Sequence, residues 1–203
     1  MRRTRLLWVV SVICAAHTAV AGAQTSSGRI EVGGQVTSVS SGQFDAADAG
    51  LGGRVSWRPN PIVGLEAELN VFPRDFPSGR PFSRARFEGL FGVTAGATFD
   101  RFRPFARVRP GFVAVQESPE PFACILIFPP PLTCTLASGR TLVAVDLGGG
   151  IDIMTTERTF VRVDLGDRLV RYPGPVFDSD RMIREDPFFS HEFRFAAGAG
   201  VRF

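Results

Sequence analysis

Lysine is absent from this 203-residue chain, and all 23 basic residues are arginine. That bias reads as genomic composition, and no function is attached to it. Long apolar runs are also missing. Although 44% of the residues are hydrophobic, no stretch beyond the N-terminus approaches the ~18 residues that a membrane helix needs. A helical membrane protein is excluded on that ground. Histidine is scarce: His17 lies in the leader described below, which leaves His191. One histidine cannot supply a multi-histidine metal site, and no metal or other cofactor is expected. Cysteine is nearly as rare, with three residues in all.

The N-terminus explains the basic balance. Arg2, Arg3 and Arg5 precede an apolar core from Leu6 to Ala16, too short to span a bilayer, and Ala21-Gly22-Ala23 is a small-x-small cleavage site before Gln24. Residues 1–23 are expected to be a cleaved signal peptide and residues 24–203 the mature domain. Cys14 follows Ile13, which departs from the lipoprotein pattern, so it goes with the leader. Cleavage leaves 20 arginines against 20 acids, and the pI of about 9.2 carries no argument for nucleic acid. Cys124 and Cys134, ten apart in an exported chain, predict a loop-closing disulfide. The chain-entropy account assigns such a loop about 2.5–3 kcal/mol.

What the chain has is punctuation and alternation. Its 22 Gly and 15 Pro separate segments of period two, the strand period. In the first, Ile30, Val32 and Val36 oppose Glu31, Gln35 and Thr37. In the second, Leu51, Val55 and Trp57 oppose Arg54, Ser56 and Arg58. The third sets Val63, Leu65, Leu69 and Val71 against Glu66, Glu68 and Asn70. The fourth sets Phe87, Phe91, Val93 and Phe99 against Glu88 and Thr94. The fifth sets Phe102, Ala106, Val108 and Phe112 against Arg103, Phe105, Arg107 and Arg109. The sixth sets Val143, Val145, Leu147 and Ile151 against Asp146, Gly148 and Asp152. The seventh sets Val161, Val163 and Leu165 against Arg162, Asp164 and Arg168. The last sets Phe193, Phe195, Ala197, Ala199, Val201 and Phe203 against Arg194, Gly198, Gly200 and Arg202. Long connections (40–48, 73–84, 116–140, 172–190) alternate with short ones at 58–61, 100–101 and 155–158. This is the rhythm of an all-β, eight-stranded antiparallel up-and-down transmembrane barrel. Pro110 is expected to force a bulge, because a closed barrel has no free edge for proline. Asp167 falls on the apolar parity and is expected above the lipid band or past a bulge.

The ending, with apolar residues at every second position up to Phe203, resembles the C-terminal signal read by the outer-membrane assembly machinery. The whole stretch from 29 to 203 resembles the small outer-membrane barrels of the OmpA/OmpX type. That resemblance implies a bacterial outer-membrane location, contact with outer-membrane lipids, and an assembly signal carried by Phe195, Val201 and Phe203.

A soluble barrel hides its apolar face around a ligand, whereas a membrane barrel inverts it. The polar faces here carry Glu31, Arg54, Glu66, Glu68, Glu88, Arg103, Arg107, Arg109, Asp146, Asp152, Arg162, Asp164, Arg168, Arg194 and Arg202, with Arg58 at one end. Those charges are expected inside, paired, in a bore only wide enough for side chains. Gly148-Gly149-Gly150 precedes no helix, so it is a steric feature and not a phosphate cradle. Glu66 and Glu68 share a face as glycosidase carboxylates do, but a salt-bridge network is the reading taken. Ser190 and His191 invite comparison with lipid A deacylases, small outer-membrane barrels with a Ser–His–acid site. That pattern places His and Ser two apart on one face; these are adjacent and so oppose each other, and no enzyme is expected. The apolar segment 122–132 in the 116–140 loop packs on its neighbours or meets a surface partner. The expected function is structural or surface-interacting, with the lumen closed by the charge network. The alternative is an outer-membrane channel or transporter for small or hydrophobic molecules, and further behind stands a lipid-modifying enzyme.

Overall fold

A computed structural model describes residues 29–41, 46–73, 85–117, 128–178 and 183–203. The expected signal peptide, Cys124 and the first part of the apolar loop segment lie outside them. The alternating segments become strands β1 (Arg29–Ser41), β2 (Ala46–Arg58), β3 (Val63–Phe72), β4 (Arg86–Gly96) and β5 (Phe102–Val115). A short helix α1 (Leu132–Ala137) follows, then β6 (Arg140–Met154) and β7 (Thr159–Tyr172). A small hairpin, β8 (Val176–Asp178) and β9 (Ile183–Glu185), precedes β10 (Phe188–Arg202). Eight strands close a barrel in the order β1-β10-β7-β6-β5-β4-β3-β2, each antiparallel to its neighbours. The seam between the chain ends runs from Glu31 opposite Arg202 to Ser41 opposite Glu192. It is extended at the rim where the Phe203 N–H donates to the Ile30 carbonyl at 2.9 Å.

Three expectations need correction. The stretch 40–48, read as loop, is largely strand, because β1 runs to Ser41 and β2 starts at Ala46. The loop 172–190 contains β8, β9 and the first residues of β10. Pro110 makes no bulge. The β4–β5 ladder pairs Val93 with Val108 and Leu90 with Gly111, skipping the two pairs between without a change of register. Proline removes one donor from that ladder, while the rungs on both sides, and the unbroken β5–β6 ladder that pairs Pro110 with Val145, keep the register unchanged.

Alternation decides the two faces of the wall. Val55, Leu69, Phe91 and Phe193 point outward at 50%, 56%, 58% and 57% exposure. Glu66, Arg109, Arg162 and Arg194 point inward and are completely buried. The wall is apolar outside and charged inside, the reverse of a soluble barrel. The one apolar cluster among the described residues sits inside one mouth. There Val113, Leu142, Ala144 and Val170 of the wall pack with Leu132 of α1 and with Val176, beside Tyr172. Because α1 and β8 both belong to the long connections, this is the long-loop end.

Candidate functional site in the barrel lumen

Neighbouring strands bring their even or odd residues to the bore in layers, so charges distant in sequence meet across it. At the short-turn end, Glu31 of β1 receives Arg58 of β2 at 2.9 Å and Arg202 of β10 at 2.8 Å. Arg103 of β5 bridges Glu31 and Asp152. Arg162 of β7 also binds Asp152, by its Nε, and reaches Glu66 of β3 with Nη1, both at 2.5 Å. Its guanidinium lies 4.3 Å from the centre of the Phe105 ring, a cation–π contact inside the bore.

Arg109 organises the middle layer. Its Nη1 donates to Glu66 at 2.7 Å and to Glu68 at 2.5 Å, and its Nη2 donates to Asp146 at 2.7 Å. Glu66 and Glu68 are therefore two acceptors of one guanidinium. Arg107 shares Asp146 at 2.8 Å and also meets Asp164, while Arg194 binds Glu68. Arg54 is the loosest member: Gln35 accepts from it at 3.1 Å, but Glu66 and Asp164 stand 3.7 and 3.9 Å away. Toward the long-loop end, Arg168 pairs with Glu192 and Glu88, and the Tyr172 hydroxyl donates to Glu192 at 3.2 Å. Asn70 links Glu88, Glu68 and Gln35 with bonds of 2.7, 2.6 and 2.9 Å. Above that layer, the guanidiniums of Arg86 and Arg168 stand 5.3 and 5.7 Å from the centre of the Phe72 ring.

Glycine makes this crowding possible. A Cβ on Gly166 would sit 3.0 Å from Asp146 Oδ1 and 3.4 Å from Arg107 Nη2. One on Gly148 would sit 2.2 Å from the Leu165 carbonyl oxygen. The glycine run thus acts as wall, with no helix after it to cradle a phosphate.

The structure places every charged residue read as inward from the sequence in the bore, buried except for Arg202 at the rim. It adds Glu192, which the sequence reading missed although it shares the parity of Arg194, and it gives Gln35 and Asn70 linking roles that alternation alone does not reveal. The apolar lining of the mouth was also missed, since Val113, Leu142 and Val170 occupy the polar parity. Ser190 is buried inside and His191 exposed outside, so the two side chains do not meet. His191 Nδ1 instead lies 2.7 Å from Asp167. That contact shows Asp167 on the outer face, and the unbroken registers with β10 and β6 leave no bulge there. Cys134 lies in α1, and its expected partner Cys124 is outside the described residues. Phe195, Val201 and Phe203 point outward at 40%, 41% and 77% exposure.

No protein-family model matches the chain, and no curated protein does. A solved structure does share its fold. The N-terminal β-barrel domain of Pseudomonas aeruginosa OprF superposes with a TM-score of 0.55 at 11% identity, over 86% of this chain and 97% of that one. Neisserial surface protein A gives 0.49 at 11% identity, over 87% and 96%. The chain has the fold of the small eight-stranded outer-membrane barrels.

Proposed function

We propose that the chain is an integral outer-membrane barrel with a structural or surface-interaction role and a lumen closed by its arginine–carboxylate network. One observation carries this reading: charges fill the inside of the wall while large apolar side chains cover the outside. A continuous apolar belt of that extent has no place in water and suits hydrocarbon. Export through residues 1–23, cleavage before Gln24 and recognition of Phe195, Val201 and Phe203 by the assembly machinery complete the proposal. So does a Cys124–Cys134 bridge, which would tie the apolar 122–132 segment to α1 over the mouth. The 116–140 loop is the surface offered to a partner. The charge-filled interior supports a wall and display role over transport, and the divergence of Ser190 and His191 supports a non-enzymatic one.

The test is assembly in cells and in detergent. The protein should fractionate with outer membranes and migrate differently on gels before and after boiling, because a closed barrel resists unfolding. Removing Phe203 should lower the assembled fraction. Mature protein that stays soluble without detergent would end this reading.

A further inference from the structure

Two concavities meet at the short-turn end of the β1–β10–β7 seam. One, of about 450 Å³, opens on the outer wall between Val32, Gly34, Val161, Ala199 and Val201. The other, of about 760 Å³, lies at the rim among Arg29, Glu157, Arg158, Arg202 and Phe203, and shares Val201 with the first. The wall recedes in the apolar groove because Gly34 and Ala199 stand opposite each other across β1 and β10. A Cβ on Gly34 would meet nothing nearer than the Gly52 carbonyl oxygen at 3.9 Å, so the space outside it is open.

Strand pairing gathers the arginines. The Arg202 N–H donates to the Arg158 carbonyl at 2.7 Å, and Arg29, the first residue of β1, lines the same rim concavity. Glu31 occupies Arg202. The guanidiniums of Arg29 and Arg158 have no ion pair or hydrogen bond among the described residues. Glu157 is the one carboxylate side chain lining the rim concavity.

We propose that this joined site holds one anionic phospholipid of the leaflet on the short-turn side. An acyl chain lies in the groove past Gly34 and Ala199, and the phosphate sits between Arg29 and Arg158. The guanidinium fork matches phosphate oxygens, and the interface is where an unpaired arginine gains most from an anionic headgroup. The inference rests on the membrane-barrel reading above.

Native mass spectrometry of the folded protein tests it, with phosphatidylglycerol and phosphatidylcholine of matched acyl chains supplied in neutral detergent. One phosphatidylglycerol should stay bound per barrel, and phosphatidylcholine, whose choline cation offsets the same phosphate, should be retained less. Arg29→Gln combined with Arg158→Gln should lower that retention roughly tenfold or more. Gly34→Leu, or Ala199→Leu if the first fails to fold, should lower it with the arginines intact by filling the groove. Excess inorganic phosphate should leave the lipid in place. Equal retention of the two lipids, retention indifferent to either set of substitutions, or displacement by phosphate alone would overturn the inference. Each variant is scored on protein that shows the boiling-dependent gel shift. A wild type lacking that shift fails the barrel reading itself, whereas a shifting wild type that keeps both lipids alike fails only this inference.

Discussion

Arg109 and Arg54 are both buried arginines of the same layer, yet they do different amounts of work. Arg109 holds three carboxylates at 2.5–2.7 Å, from two strands on different sides of the bore. Removing it strands Glu66, Glu68 and Asp146 partly unpaired in a buried setting, where breaking a buried pair costs about 3–5 kcal/mol. Among the described residues, Arg54 keeps one hydrogen bond and two contacts beyond 3.5 Å. Urea unfolding in lipid vesicles should therefore show a large loss for Arg109→Ala and a clearly smaller one for Arg54→Ala; equal losses would mean that the pairing pattern does not set the stability. The outer pair is a contrast. His191 and Asp167 are 72% and 46% exposed, so His191→Ala should change stability by no more than about 1 kcal/mol. Single-residue facts of this kind were half legible in the sequence. Parity told which way each charge points, and it would have added Glu192. It could not tell that Arg109 rather than Arg107 or Arg162 collects three partners, since that depends on stagger between strands far apart in the chain.

At the scale of elements, the strands announced themselves and the loops did not. Period-two alternation is local, so β3, β6 and β7 were readable from a dozen residues each. Pro110 misled because proline's missing donor is a local fact, while register is fixed cooperatively by the rungs on either side and by the intact β5–β6 ladder. Helix α1 and its seat against Val113, Leu142, Val170 and Val176 were invisible for a related reason: inward apolar residues at a barrel end look like breaks in the polar parity until something is seen to cover them. That packing makes a prediction. Leu132→Asp should loosen the cap without opening the wall, so limited proteolysis should cut the 116–140 loop faster while the boiling-dependent gel shift persists. Cys124→Ser should likewise leave the barrel folded, and peptide mapping of unreduced wild type should show Cys124 joined to Cys134. Two freely alkylated thiols would rule out the bridge.

For the whole molecule, composition and charge balance pointed the same way as geometry. Equal numbers of arginines and acids beyond the proposed leader suit an interior that must neutralise itself, and an eight-stranded bore has room for side chains and little else. In planar bilayers the protein should show no large steady conductance; stable channels from the unmodified chain would bring the transport reading forward. Arg107→Ala or Arg162→Ala should destabilise the barrel or admit intermittent current. The chain carries its own probe for the orientation of the wall. Of its two tryptophans, Trp8 lies in the expected leader, and Trp57 stands on the outer face of β2 at 48% exposure. In protein refolded into vesicles, Trp57 emission should shift to shorter wavelength, be quenched by lipids brominated along their acyl chains, and be protected from aqueous iodide. Iodide quenching as strong as in the unfolded chain, with no effect of brominated lipid, would contradict an apolar face turned to the membrane.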